Sequence, residues 1–211
     1  MKKTIQFATF LPLLKVVHHN LIFSRRVGVL AESLAAHMPC NCSVLDIGCG
    51  DGTISSLIAA RRPGIQIRGI EIKPRPTCRI ECTLFDGAHI PFPDRSVDLC
   101  MFVDVLHHTE CISSLLAEAS RVSKRFVVLK DHLSENQLDF FTLKFMDWVG
   151  NWAHGVAIPY NYQCRAAWDS LFASSGLKPV VWVDHVPLYP FPFDKIFGRK
   201  LHFITLLEKT P

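Results

Sequence analysis

The run Val44-Leu45-Asp46-Ile47-Gly48-Cys49-Gly50-Asp51-Gly52 sets an acid near the end of an apolar stretch and three glycines directly after it. Gly48, Gly50 and Gly52 permit backbone that bulkier residues resist, and they let a ligand approach the main chain. A second acid, Glu71, ends the segment Ile67-Arg68-Gly69-Ile70. It lies about 20 residues past the glycines, where a carboxylate receives ribose hydroxyls in dinucleotide-type folds. Together these residues predict a nucleoside-cofactor pocket in which Glu71 grips the sugar, while Asp46 and the loop amides orient the remainder. A surface ion pair with Arg68 or Lys73 is the competing role for Glu71. His107, His108 and His132 supply imidazoles that titrate near neutrality, suited to taking a proton from an acceptor hydroxyl. Hydrogen-bonded pocket-wall residues are their alternative.

Those side chains need a frame. Residues 43–47 read as a buried central strand, and residues 53–61 as a helix whose first turn faces the bound molecule. Residues 112–123 and 135–151 read as further helices, 125–130 as a fifth strand, and 177–186 and 200–209 as a closing pair of strands. Strands alternating with helices make a doubly wound α/β sheet, in which ligands bind beyond the carboxyl ends of the strands. Val16, Phe23, Val27, Leu30 and Leu34 recur at helical spacing ahead of the first strand, predicting an N-terminal helical lid over the sheet or the pocket. Lys73-Pro74-Arg75-Pro76 cannot continue a helix, so the crossover to a third strand at 81–85 must be abbreviated.

The glycines run G-x-G-x-G, with Thr53 standing where a nicotinamide fingerprint has its third glycine, which weakens a hydride-transfer reading. The acidic start and the Gly-Cys-Gly-Asp-Gly run instead resemble motif I of the class I S-adenosylmethionine-dependent methyltransferases. Ile90-Pro91-Phe92-Pro93-Asp94-Arg95-Ser96-Val97-Asp98 resembles that family's approach to strand 4, and Leu99 to His108 resembles the strand and the loop after it. The resemblance implies a Rossmann-like seven-stranded sheet with an antiparallel last strand and S-adenosyl-L-methionine as cofactor. It places Asp86 and Gly87 at the adenine edge, a turn-forming Asp-Gly pair being the alternative. It also implies Val103 and Asp104 as cofactor contacts; Asp104 either holds the cofactor's ammonium or caps the next helix. In the family a histidine pair after strand 4 accompanies very different substrates, which favours a scaffold role for His107 and His108.

With 211 residues and a formal net charge of +4, the chain suits one large-cored domain and gives little support to a nucleic-acid partner. Its eight cysteines form no pair of C-x-x-C motifs, so structural zinc is not expected and reduced thiols in a cytoplasmic protein are. Cys111 begins a predicted helix and is a candidate for mild acidification. Lys2 and Lys3 precede an apolar stretch that imitates a signal peptide, but Lys15 interrupts it and no cleavage site follows, so the segment reads as part of the mature protein.

Leu138, Phe141, Phe145, Trp148 and Trp152 follow helical spacing, and Phe140, Met146 and Val149 widen the band. The helix is either packed in the core or roofs a pocket for an apolar, lipid-like acceptor, with transient membrane-surface contact through this band and the basic N-terminus. Trp148, His154 and Tyr160 are the candidate substrate-pocket residues. Nucleobase amine methylation is disfavoured because no Asn/Asp-Pro-Pro-aromatic run follows strand 4. Asp104 and Asp131 resemble catechol-type metal ligands in place, but a third ligand is not evident and no metal is expected. The reading is a single domain with a cap at 1–42, a cofactor core at 43–135, substrate-pocket helices at 136–176 and a closing hairpin at 177–211. It predicts methyl transfer to a small-molecule acceptor. An NAD(P)-dependent oxidoreductase and a cofactor-binding partner without catalysis remain the alternatives.

Overall fold

A computed structural model describes residues 23–151 and 159–210. Helix α1 (Ser24–Ala36) leads into strand β1 (Ser43–Ile47), followed by α2 (Thr53–Arg61), β2 (Gln66–Glu71), β3 (Cys82–Leu84) and β4 (Val97–Val103). A short 3-10 turn (Leu106–His108) precedes α3 (Ile112–Val122) and β5 (Ser123–His132). Then come α4 (Gln137–Asn151), α5 (Arg165–Ser174), β6 (Leu177–Val183), α6 (Asp194–Phe197) and β7 (His202–Lys209). The seven strands form one sheet in the order β3-β2-β1-β4-β5-β7-β6, in which β7 runs antiparallel to both of its neighbours. This is the doubly wound sheet with an antiparallel last strand that the sequence predicts.

Strand alternation explains how both faces are filled. On β4, Leu99 and Met101 join Leu30 and Leu34 of α1, Ile58 of α2, and Val128 and Ile204 in one apolar layer. Their neighbours Cys100 and Phe102 point the other way, to Leu115 and Leu116 of α3 and Trp168 and Phe172 of α5. Side chains that alternate with period two while both faces are apolar belong to strands buried on two sides. The prolines at 74 and 76 have the predicted effect, since among the described residues no helix separates β2 from β3.

Two polar clamps fix the frame. At the amino edge, Asp98 accepts the Ser43 amide at 2.8 Å, the Ser43 hydroxyl at 2.7 Å and the Lys124 ammonium at 2.9 Å. These contacts tie the starts of β1, β4 and β5 together and pull the Asp98 carboxyl down to about 2, the backbone amide of Ser43 being the largest cause. Arg121 on α3 reaches the carbonyls of Ile90 and Phe92, each at 3.0 Å, and the carboxylate of Asp94 at 2.7 Å. That single guanidinium orders the Pro-rich approach to β4, which otherwise has few backbone partners of its own.

Candidate active site

The glycine loop leaves β1 at the carboxyl edge. Gly48, Gly50 and Gly52 all have positive φ, at 75°, 59° and 70°. The amides of Gly48 and Cys49 donate to the Ile70 carbonyl at 2.8 and 3.2 Å, which draws the loop across the end of β2. Glu71 then accepts the Gly50 amide at 2.9 Å. Arg68 pairs instead with Glu81 at 3.4 Å, so the carboxylate of Glu71 faces the loop and not a surface cation. A side chain on Gly48 would collide with Val105 at 2.7 Å, so the loop after β4 abuts the glycine loop. Above Gly50 the nearest atom a Cβ would meet among the described residues is the Arg75 guanidinium at 3.9 Å, so a methyl group would fit there without a clash.

Asp46 sits beneath that loop, 4% exposed, and accepts the Ser55 hydroxyl from α2 at 2.5 Å. Burial pushes its carboxyl up to about 7, against the pull of the Ser55 hydrogen bond. Asp86 is exposed and its Oδ1 accepts the amides of Ala88 and His89 at 2.8 and 2.7 Å, a turn geometry that leaves Oδ2 pointing outward near His89. The turn reading of Asp86-Gly87 is therefore realised, with Gly87 at φ 87°. Asp104, at φ 58°, caps no helix, because its carboxylate is taken by Arg26 of α1 and Lys130 of β5. Of the predicted lid, the described part is α1, anchored to this loop by Arg26; Val16 lies outside the described residues.

The histidines converge on Asp131. His107 Nδ1 lies 2.6 Å from Asp131 Oδ1 and 3.2 Å from His132 Nδ1, and both rings are at most 2% exposed. Asp131 Oδ2 accepts the Leu106 amide at 3.0 Å, which locks the turn after β4 to β5. Burial works against charge on His107, but Asp131 outweighs it and raises the imidazole pKa. Burial holds His132 down to about 4, with His107 adding to the effect. His108 is half-buried, and burial followed by the neighbouring His107 lowers its pKa. Burial opposes ionisation of Asp131, yet the His107 charge holds that carboxyl well below the usual range.

Helix α4 corrects one of the two readings given to it. Leu138, Phe141, Phe145 and Trp148 lie on the outer face, between 53% and 63% exposed among the described residues, so the band is not packed in the core. Inward the helix turns Leu143, fully buried, and Asp147, whose carboxylate accepts the Tyr162 hydroxyl. The inner face meets the polar histidine cluster and needs few apolar groups, which is why the apolar spacing marks the outer one. Trp148 packs beside Phe145 with ring centroids 6.3 Å apart, and Lys144 covers the Tyr160 ring at 4.9 Å. His154 and Trp152 lie outside the described residues.

Residue spacing alone did not expose several members of this site. Arg26, Lys130, Asp147 and Tyr162 stand on four different segments and meet only through the fold. Cys49, Cys78 and Cys82 gather beside the glycine loop, with 3.5 Å between the sulfurs of Cys49 and Cys82. Cys111 does begin α3, and hydrogen bonds from Ser113 and Ser114 pull its thiol down to about 7.

Residues 45–128 match the family model for a methyltransferase domain. That stretch is similar to a methyltransferase domain and holds the glycine loop, Glu71 and the strand β4 loop. Within curated sequences, it is 34% identical over 90 residues to the demethylmenaquinone methyltransferase of Tropheryma whipplei, a stretch covering 38% of this chain and 37% of that protein. It is 41% identical over 66 residues to the tRNA1(Val) (adenine(37)-N6)-methyltransferase of Porphyromonas gingivalis, covering 31% and 24%. The match thus spans little more than a third of the first relative's length. Among solved structures, the candidate methyltransferase bound to the Haloferax volcanii Trm112 methyltransferase activator superposes with a TM-score of 0.69 at 16% identity. That superposition covers 93% of both chains and shows that this chain has the same fold.

Proposed function

We propose that this chain transfers a methyl group from S-adenosylmethionine to a small apolar or aromatic acceptor by in-line displacement. The observation that carries the reading is the meeting of the Gly50 amide, the Glu71 carboxylate and the Val105 loop at the carboxyl ends of three adjacent strands. When bound, S-adenosylmethionine supplies a methyl carbon activated by the attached sulfonium. The residues present fit such a ligand, since among the described residues only the flexible Arg75 side chain comes within 4 Å of a Cβ position on Gly50 and each Glu71 oxygen retains a lone pair beyond its amide contact. Glu71 takes the ribose hydroxyls, and Asp86 and Gly87 address the adenine edge through the outward Oδ2 and the backbone. Asp46, Gly48, Cys49, Gly50, Gly52, Val103 and Asp104 wall the methionine end.

Alignment alone accounts for about 7–11 kcal/mol of barrier lowering in favourable cases, so a base is an addition to the mechanism and not its foundation. Of the three histidines, His108 is the best base: it is partly exposed, and its lowered pKa keeps it neutral at pH 7 and able to accept a proton. His107 and His132 are buried and position the loop through Asp131. The exposed apolar face of α4, with Trp148, and the neighbouring Tyr160 supply the acceptor side, and a greasy face favours an acceptor collected from a membrane surface; His154, outside the described residues, is proposed as a further acceptor contact from its place in the sequence. The quinone precursor named for the Tropheryma relative supports that chemistry. No described helix is long and apolar enough to cross a membrane, and the reduced thiols favour a cytoplasmic location.

Calorimetry with S-adenosylhomocysteine, followed by incubation of labelled S-adenosylmethionine with an apolar metabolite extract, tests the proposal. The expected result is stoichiometric binding and a product heavier by one methylene. Binding of NAD in place of S-adenosylhomocysteine returns the oxidoreductase, and binding without label transfer returns the non-catalytic partner.

A further inference from the structure

The histidine cluster brings three metal-ligating side chains, His107, Asp131 and His132, together in the buried interior. Each neutral imidazole carries one N–H. His107 Nδ1 is 2.6 Å from Asp131 Oδ1, so its proton, if it has one, is already donated there. His132 Nδ1 nevertheless points at the same His107 Nδ1 from 3.2 Å, and it also lies 3.6 Å from Asp131 Oδ1. Two ring nitrogens facing each other and one carboxylate oxygen thus converge on one point, with every group at most 2% exposed. The far nitrogens face carboxylates as well. His107 Nε2 is buried, makes no hydrogen bond, and lies 3.4 Å from Asp147 Oδ2; His132 Nε2 lies 3.9 Å from Asp104 Oδ1.

One assignment of the protons fits these distances: both rings protonated at Nε2 toward Asp147 and Asp104, and both Nδ1 lone pairs, with Asp131 Oδ1, turned on a common cation. We propose that His107 Nδ1, His132 Nδ1 and Asp131 Oδ1 bind one divalent transition-metal ion, zinc being the best match. Imidazole and carboxylate ligands suit zinc at about 2.0–2.2 Å, which sets ligand atoms roughly 3.3 Å apart in a tetrahedron. The observed separations of 3.2 and 3.6 Å bracket that figure, and the 2.6 Å edge must open slightly as the ion enters. A ligating histidine whose other nitrogen faces a carboxylate is the recurring support of metal sites, and Asp147 and Asp104 stand in those places. Lys130 does not compete for the site, because its ammonium is spent on Asp104 and on His202 Nδ1 at 3.3 Å. Three protein ligands leave a fourth position for an oxygen-bearing small molecule or water, the arrangement of sites that do chemistry.

This inference does not rest on the methyl-transfer reading, because its readout is the metal itself. Untagged full-length chain, stripped with a chelator, is titrated with Co²⁺ while visible d–d absorption is followed, and with Zn²⁺ in a calorimeter. The expected result is one equivalent bound, with the bands of a nitrogen-oxygen site and no sulfur charge-transfer band. His132→Ala and Asp131→Asn should lose that binding at least 100-fold, Asp147→Asn should weaken it about 10–100-fold, and Cys78→Ser should leave it unchanged. Wild-type protein alone overturns the proposal if it binds no stoichiometric metal. Loss of binding in Cys78→Ser overturns it too, by moving the ion to the thiol cluster.

Discussion

Glu71 and Gly50 are joined by a hydrogen bond of 2.9 Å between carboxylate Oε2 and backbone amide, which couples the end of β2 to the crest of the glycine loop. Its second oxygen accepts the Ile72 amide at the same distance. The acid that is to hold the ribose therefore also shapes the loop that faces it. Charge-assisted hydrogen bonds contribute about 1.5–3 kcal/mol each. Glu71→Ala should weaken S-adenosylhomocysteine binding roughly 10–100-fold by calorimetry while the far-ultraviolet dichroism stays unchanged. Glu71→Gln keeps an oxygen for Gly50 but loses a charge, and should fall between the two. Equal affinity in all three proteins would remove Glu71 from the cofactor site.

Gly48 and Gly50 differ in what surrounds them, and that difference separates folding from binding. A methyl on Gly48 would strike Val105 at 2.7 Å, whereas one on Gly50 would meet nothing nearer than 3.9 Å. Both carry the left-handed backbone penalty of about 1–2 kcal/mol. Gly48→Ala should add a packing penalty of about 1–3 kcal/mol and lower the urea midpoint clearly. Gly50→Ala should stay near wild-type stability apart from the backbone term, yet lose cofactor affinity because the methyl occupies the cradle. Urea titration and calorimetry on the pair check both halves.

Much of this site was legible before the fold because its markers are local. A glycine loop after an apolar strand, and an acid at the end of the next strand, are fixed by spacing along the chain, and both fell where the sheet register requires, with Asp46 opposite Gly69 and Ile47 opposite Ile70. The two prolines after Glu71 announced the missing helix for the same reason. Arg26, Lys130, Asp147 and Tyr162 carry no such marker: each is an ordinary residue in its own segment, and only the packing of α1, β5 and α4 brings them together. Helical spacing on α4 marked residues that share one face and left open which way they point, since periodicity defines a face but not what covers it.

Asp46 gives the domain a pH dependence of known sign. Its carboxyl is pushed up to about 7 by burial, while in the unfolded chain it titrates near the ordinary aspartate value of about 4. Between those values the folded protein holds a proton on Asp46 that the unfolded chain has released, so the contribution of Asp46 to stability falls as pH rises from about 4 to 7 and is level above. Asp46→Asn should remove that contribution, seen as a urea midpoint that shifts upward from pH 5 to pH 8 by more than in wild type, because the buried His132, lowered to about 4, favours the folded state as pH rises. If the carboxylate orients the cofactor's ammonium, wild-type affinity for S-adenosylhomocysteine should also rise through pH 7, and the Asn variant should show no such rise.

Helix α4 offers a test of the acceptor face that stability cannot confuse. Phe145 and Trp148 are 53% and 56% exposed, while Leu143 on the opposite side is fully buried. Exposed substitutions away from special features change stability by about ±0.5 kcal/mol, whereas a buried Leu→Ala costs about 2–5 kcal/mol. The double variant Phe145→Ala with Trp148→Ala should therefore melt as wild type does, and Leu143→Ala should melt much lower. If this face receives an apolar acceptor, the double variant should raise KM for that acceptor several-fold with kcat nearly unchanged, because an interaction made equally in the ground and transition states is lost. Cosedimentation with anionic lipid vesicles should drop in parallel. Unchanged KM and unchanged vesicle binding would assign the apolar stripe to something other than acceptor delivery.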